Sequence, residues 1–190
     1  MIRFGYLRIR ELYLEDVEAI PAVLRFVKEY AIKCDLPMAL TRPAHDELVP
    51  YLEDFAGTKL NEPYAWYVKI PSVKNFLNHI TPVLEERLRK SIYRNLDDEI
   101  SISYYDGGII LTFQKGKIVS IKELSLRETQ TKMNVFDLYI PPNNLIQLLM
   151  GFKTIAALES INFDFSCSAK KKHLLNTLFP LMKTSLTPTI

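Results

Sequence analysis

The stretch EISISYYDGGIILTFQKGKIVSIKE, residues 99–123, decides the fold. Its first residues alternate isoleucine with serine, which is typical of a strand with one buried face. Two turn sequences follow, DGG at 106–108 and KGK at 115–117, and each is succeeded by a further apolar run. Glycine is common in such turns because it adopts positive φ angles without steric cost. The stretch therefore predicts a three-stranded antiparallel meander.

The residues before the meander predict a segment of alternating strands and helices, followed by two helices. Residues 1–70 contain patterns typical of strand, helix, strand, helix and strand, and the last strand is the aromatic run Tyr64–Ile70. Helical patterns then cover 72–80 and 82–90. We expect Thr81 to cap the second of these helices and Pro82 to separate it from the first, because proline lacks the N–H that a helix interior needs.

One more strand and several short helices follow the meander. The strand is expected at 135–140, and the last helix is expected to begin at Ser168 and to end at Phe179. The character of the sequence changes at Pro71, from alternating strand and helix patterns to helices followed by a meander. We therefore predict an α+β chain with two domains, residues 1–70 and residues 71–190.

The composition indicates a folded chain and excludes several classes of function. The chain has 190 residues, of which 48% are hydrophobic, and these values are typical of a globular protein. Its net charge of +2 is too small for the broad basic surface of a nucleic-acid-binding protein. Apolar stretches fall well short of the roughly 20 residues that span a bilayer. The two cysteines form no disulfide framework, and the amino terminus does not resemble a secretion signal, so we expect a cytoplasmic protein.

The sequence lacks the common motifs that hold nucleotides and metals. Its six glycines form neither a G-x-G-x-x-G nor a G-x-x-x-x-G-K loop, in which backbone amides approach a phosphate. A metal site needs clustered ligands, whereas His45, His79 and His173 lie far apart in the sequence. We therefore predict no metal site and no cofactor in this chain.

Two features near the C terminus have functional interpretations that compete with structural ones. Cys167 and His173 are the residue types of a thiol–imidazole nucleophilic pair, although a cysteine is more often a small buried side chain. The run Lys170-Lys171-Lys172 is compatible with an anion-binding patch, although a solvated helix face is the commoner arrangement. In both cases the structural interpretation is favoured.

The segments PYAWYVKIPSVKNFL (63–77) and ITPVLEERL (80–88) resemble the junction between two domains of certain bacterial GNAT-superfamily proteins. The resemblance continues through 100–123, 144–152 and 174–180. These proteins, of which the Eis-type acetyltransferases are the best known, carry a C-terminal sterol-carrier-protein-like domain. The chain is similar to the C-terminal part of such a protein. The resemblance implies a partial GNAT-like β-α-β-α-β segment followed by a sterol-carrier-like antiparallel sheet with helices.

The resemblance also implies a function for the chain. GNAT enzymes hold acetyl-CoA on an R/Q-x-x-G-x-G/A turn, which this sequence lacks. It therefore implies a non-catalytic accessory region that shapes a cleft or mediates self-association, within a parent N-acetyltransferase that uses acetyl-CoA. In such a parent protein, the terminal carboxylate of Ile190 is implied as a catalytic base.

Two further functions remain open on the sequence. In the first, the sterol-carrier-like sheet and helices enclose a cavity that binds a hydrophobic small molecule or a lipid. The residues expected to line this cavity are Phe76, Ile80, Leu84, Tyr104, Phe113 and Leu148. In the second, the chain is an acetyltransferase on its own.

Overall fold

A computed structural model of the chain divides it into two compact units, Met1–Ala65 and Trp66–Ile190. The division falls slightly before the predicted domain boundary at residue 70. The structure describes residues 5–9, 12, 14, 16–42, 46–53, 58–59, 68–131 and 136–183.

The N-terminal unit contains a parallel strand pair with a helix between its two strands. β1 (Leu7–Ile9) pairs with β2 (Met38–Leu40), and α1 (Ile20–Lys33) lies between them in the chain. A short 3-10 helix at Val17–Ala19 precedes α1, and α2 (Leu48–Glu53) follows β2. The first four predicted elements of this segment are therefore observed.

The predicted strand over Tyr64–Ile70 is not observed where the structure describes it. Val68–Ile70 has no regular secondary structure, and the start of the predicted strand lies outside the described residues. Pro71 has no N–H to donate to a strand ladder, and the Ile70 side chain packs against the core of the C-terminal unit. The strand prediction is therefore wrong for 68–70, and the aromatic residues 64–67 lie outside the described residues.

A five-stranded mixed sheet forms the centre of the C-terminal unit. Its strands are β3 (Asp98–Ser103), β4 (Gly107–Gln114), β5 (Lys117–Ser125), β6 (Leu138–Tyr139) and β7 (Ser166–Cys167). They lie in the order β5-β4-β3-β6-β7. β3, β4 and β5 form the antiparallel meander that the sequence predicts.

The sheet is not wholly antiparallel, and that part of the prediction is wrong. β6 pairs with β3 in parallel. The connection between β5 and β6 contains a short helix, α4 (Leu126–Thr131). Asp137 fixes this pairing, because its carboxylate accepts hydrogen bonds from the backbone N–H and the hydroxyl of Ser101, both at 2.9 Å. Alternation of apolar residues identifies a strand but does not specify its direction.

The predicted glycine turn between β3 and β4 also differs from the structure. Gly107 and Gly108 belong to β4, and Tyr105 supplies the positive φ of the turn, at 68°. A Cβ at Gly107 would lie 2.9 Å from the Leu124 carbonyl oxygen, and one at Gly108 would lie 3.0 Å from that of Ile102. Close approach of the neighbouring strands, rather than a turn, requires these glycines.

Helices of the C-terminal unit share one apolar core with the sheet. They are α3 (Val73–Arg89), α5 (Pro142–Leu149), α6 (Ile155–Ile161) and α7 (Ala169–Leu178). The buried leucines and isoleucines of these helices and of β3, β4 and β6 form a single hydrophobic cluster. The predicted α+β class is therefore observed.

α3 is one continuous helix, so the predicted break at Pro82 is wrong. Proline deprives the Asn78 carbonyl of its usual partner, but both Asn78 and Pro82 are exposed, and water can bond this carbonyl. Thr81 does not act as an N-cap. Its hydroxyl instead donates to the Leu77 carbonyl oxygen at 2.9 Å.

Glu85 joins α3 to the edge strand β5. Its carboxylate accepts hydrogen bonds from the Lys117 ammonium at 2.8 Å and from the Ile118 backbone N–H at 3.0 Å. Burial raises the pKa of Glu85, but these bonds outweigh burial and hold the pKa below its ordinary value of 4.5. The contribution of Glu85 to stability is therefore present above pH 4.5 and is lost as the pH falls through the lowered pKa.

We predict that Glu85→Gln lowers the free energy of unfolding by about 1 kcal/mol at pH 7, because it removes a charge-assisted bond. The difference from wild type should shrink as the pH falls below 4.5. Urea unfolding at pH 7 and pH 3 measures this change. Glu86→Gln is the matched control, since Glu86 is 44% exposed and its partners lie on the same helix. Equal effects of the two substitutions would contradict the role of Glu85.

Candidate functional site

The residues predicted to line an apolar cavity belong to the core of the C-terminal unit or pack against it. They are Phe76, Ile80, Leu84, Tyr104, Phe113 and Leu148. Leu84, Phe113 and Leu148 belong to the core cluster and are at most 1% exposed. The other three are partly buried and pack against the same cluster. Phe113 pairs with Asp98 at one end of the β3–β4 ladder, whereas Tyr104 follows Ser103, which pairs with Gly108 at the other end. The six residues therefore share the core of the unit but not one wall of a cavity, and their contact with a ligand stays a prediction.

Tyr104 places a polar group against this core. Burial raises the pKa of Tyr104, and the nearby Glu123 carboxylate, which is hydrogen-bonded to its hydroxyl, raises the pKa further. A tyrosine whose pKa is above its ordinary value of 10 is protonated at neutral pH. The protonated hydroxyl is therefore able to donate a hydrogen bond.

An open depression of about 860 Å³ lies beside the hairpin between β4 and β5. Among the six predicted residues, only Phe113 lines it. Its acidic side chains are engaged within the protein: Asp97 accepts a bond from the Lys115 N–H at 2.8 Å, and Glu99 accepts one from the Thr112 hydroxyl at 2.9 Å. The depression is therefore an open surface feature and differs from the enclosed apolar cavity that the sequence predicts.

The lysine run of α7 is engaged with acidic and carbonyl oxygens. Lys171 pairs with Asp98 and donates to the Glu99 carbonyl oxygen at 2.8 Å. Lys172 pairs with Glu159 at 2.5 Å. These bonds attach α7 to β3 and α6, which favours a structural role for the run over an anion-binding patch.

Cys167 and His173 have separate hydrogen-bond partners. His173 Nδ1 lies 3.0 Å from the Tyr93 hydroxyl, and the Cys167 thiol donates to the Ser168 carbonyl oxygen at 3.7 Å. Burial raises the pKa of Cys167 to about 11 and outweighs the opposite effect of Lys172. The nucleophile of thiol chemistry is the thiolate, which is scarce at neutral pH when the pKa is this high. This arrangement favours the structural interpretation of Cys167.

Two other predicted positions fall outside the part of the chain that the structure describes. Ile190 and His45 lie outside the described residues, so the proposed role of the Ile190 carboxylate stays a prediction. Within the described ranges, no group of three or more His, Cys, Asp and Glu side chains is arranged to hold a metal ion. No helix in those ranges has both the length and the apolar character of a membrane span.

Sequence reasoning missed two acidic residues that organise the C-terminal unit. Glu85 holds α3 to β5, and Asp137 holds the start of β6 to Ser101 of β3. Glu85 is directly followed by a second glutamate, Glu86, and Asp137 lies between Phe136 and Leu138, so no spacing or motif distinguishes either carboxylate. Their partners lie 33 and 36 residues away in the chain, and only the fold brings them together.

Comparison of the chain with protein families, curated proteins and solved structures found no match. The resemblance to GNAT-type proteins with a sterol-carrier-like domain therefore rests on the sequence segments quoted above.

We predict that iodoacetamide alkylates Cys167 slowly at pH 7.5 and that the rate rises steeply toward pH 11, because the thiol must first lose its proton. A Cys34→Ser variant leaves Cys167 as the single cysteine, and mass spectrometry measures the rate. Adding His173→Ala should leave this pH profile unchanged. A rate plateau near neutral pH that disappears in the His173→Ala variant would instead establish a Cys167–His173 pair.

Proposed function

We propose that this chain is a non-catalytic accessory region of a GNAT-type N-acetyltransferase, and that Trp66–Ile190 is its sterol-carrier-like domain. The order of elements in this unit carries the proposal. A long helix, a three-stranded antiparallel meander, and then two shorter strands interspersed with helices follow one another along the chain. This order agrees with a sheet-and-helix domain of the kind that the resemblance implies. The parallel pairing of β6 departs from the wholly antiparallel sheet expected.

The roles of the described glycines support a non-catalytic function. Gly107 and Gly108 permit the close approach of strands, and Gly116 forms the β4–β5 hairpin with a φ of 73°. Gly151 ends α5, where a Cβ would lie 2.6 Å from the Met182 Cγ. Each of these glycines thus meets a packing or turn requirement of the fold. A loop that holds a diphosphate needs glycines at the opening of a helix instead.

Binding of a hydrophobic small molecule or lipid is the second candidate function. It is favoured by one observation, namely that Phe76, Ile80 and Tyr104 are partly exposed at the core where Leu84 and Leu148 are buried. Partly buried apolar side chains with a single hydroxyl resemble the lining of a small-molecule site. In this function the Tyr104 hydroxyl would orient the polar end of the ligand.

The accessory proposal predicts that the whole chain produces no saturable heat on titration with acetyl-CoA in a calorimeter. An active GNAT enzyme titrated under the same conditions is the positive control. Saturable binding with a Kd below about 1 mM, the upper end of usual KM values, would contradict the proposal and favour an acetyltransferase.

A titration with the fluorescent fatty acid cis-parinaric acid separates the second candidate from the first. The accessory proposal predicts no saturable signal, whereas a lipid-binding domain should bind about one molecule per chain. Binding that Phe76→Ala weakens and Phe163→Ala leaves unchanged would establish the second candidate. Phe163 is the matched control because it is fully exposed, at 108% of its reference area.

A further inference from the structure

An exposed apolar patch lies where the end of α5 meets the segment after α7. Phe152 and Leu181 are 61% and 62% exposed, and Met182 is 46% exposed. The Met182 backbone N–H donates to the Gly151 carbonyl oxygen at 2.8 Å, which holds the two segments side by side. We refer to Phe152, Leu181 and Met182 as the apolar patch. Clustered exposed apolar side chains on a protein often mark a binding surface.

The backbone holds the apolar patch in place. Gly151 has a φ of 66°, a conformation that side-chain-bearing residues rarely adopt. A Cβ at this position would lie only 2.6 Å from the Met182 Cγ and 3.0 Å from the Pro180 carbonyl oxygen. The patch therefore results from a close and specific contact between two chain segments.

Three basic residues lie next to the apolar patch in the chain or in space. Lys153 and Lys183 follow Phe152 and Met182 directly in the chain, and the Arg87 guanidinium lies 3.6 Å from the Met182 Sδ. None of these three cations takes part in an ion pair within the described part of the chain. Their positive charge is therefore not neutralised by an acidic partner there.

The sequence around the patch has an excess of positive charge. Residues 138–183 contain five lysines and two acidic residues, Glu159 and Asp164. Lys171 and Lys172 are paired with acidic side chains, so Lys153, Lys170 and Lys183 form no ion pair within the described residues. Glu159 is paired with Lys172, so it does not offset the charge of the lysines beside the patch. An apolar surface with unneutralised lysines is complementary to a surface that is both apolar and anionic.

Two kinds of partner present apolar and anionic groups, an acidic protein and an anionic membrane. Lysine is depleted in protein–protein interfaces, whereas lysine beside phenylalanine and leucine is typical of surfaces that lie on a membrane. The observations therefore favour the membrane. We propose that the apolar patch binds the surface of membranes that contain anionic phospholipids. Phe152 and Leu181 enter the headgroup region, and Lys153 and Lys183 contact the lipid phosphates.

This inference goes beyond the proposed accessory function and does not depend on it. The test is flotation of the whole chain with phosphatidylcholine vesicles that contain either no phosphatidylserine or about 30% of it. The chain should float with the anionic vesicles only, and high salt should weaken this binding because it screens the charges. The variants Lys153→Glu/Lys183→Glu and Phe152→Ser/Leu181→Ser should each lower the partition coefficient at least about tenfold.

The control variant Phe163→Ser removes a fully exposed phenylalanine outside the apolar patch and should leave vesicle binding unchanged. Circular dichroism confirms that each variant is folded. Binding to both vesicle types alike, binding to neither, or an equal loss in Phe163→Ser would overturn the proposal. Light scattering tests whether a second copy of the chain occupies the patch instead. If the wild-type chain is a dimer that does not bind vesicles, and Phe152→Ser/Leu181→Ser converts it to a monomer, the patch is a self-association surface.

Discussion

The C-terminal unit depends on the packing of α3 against the antiparallel meander. Leu77, Leu84 and Leu88 repeat at helical spacing along α3, and none of them has measurable exposure. They belong to the same cluster as the buried isoleucines and leucines of β3 and β4. Burial of a leucine side chain contributes roughly 1.5–3 kcal/mol, so this contact is a principal source of stability for the unit.

The connections around this contact are specified by a small number of polar groups and glycines. Glu85 satisfies the N–H of Ile118 on the edge strand, and an edge strand needs such protection against pairing with other chains. At the β4–β5 hairpin, Gly116 approaches the chain after α3 so closely that a Cβ would lie 2.2 Å from the Arg94 carbonyl oxygen. Asp137 specifies the parallel pairing of β6 with β3. Apolar packing alone is compatible with many arrangements of these strands and helices, and the polar groups and glycines favour the observed one.

The meander and the apolar face of α3 could be predicted from the sequence because alternation and helical spacing are local signals. The sequence did not predict that α3 continues through Pro82, because this depends on which face of the helix is exposed. The parallel direction of β6 and the strand position of Gly107 depend on partners distant in the chain. For the candidate site, the sequence predicted residues that belong to the core of the C-terminal unit or pack against it. It did not predict Glu85 or Asp137, whose roles arise only from tertiary contacts.

Leu84 lies in the packed core of the C-terminal unit, whereas a ligand-binding domain would place it at the wall of a cavity. The free energy of unfolding of Leu84→Ala, compared with that of Val83→Ala, separates these two descriptions. Val83 is the next residue of the same helix and is 50% exposed. If Leu84 is part of a packed core, we expect Leu84→Ala to lower the free energy of unfolding by about 2–5 kcal/mol and Val83→Ala to lower it by less than about 1 kcal/mol. Similar small losses for both variants would contradict a packed core at Leu84.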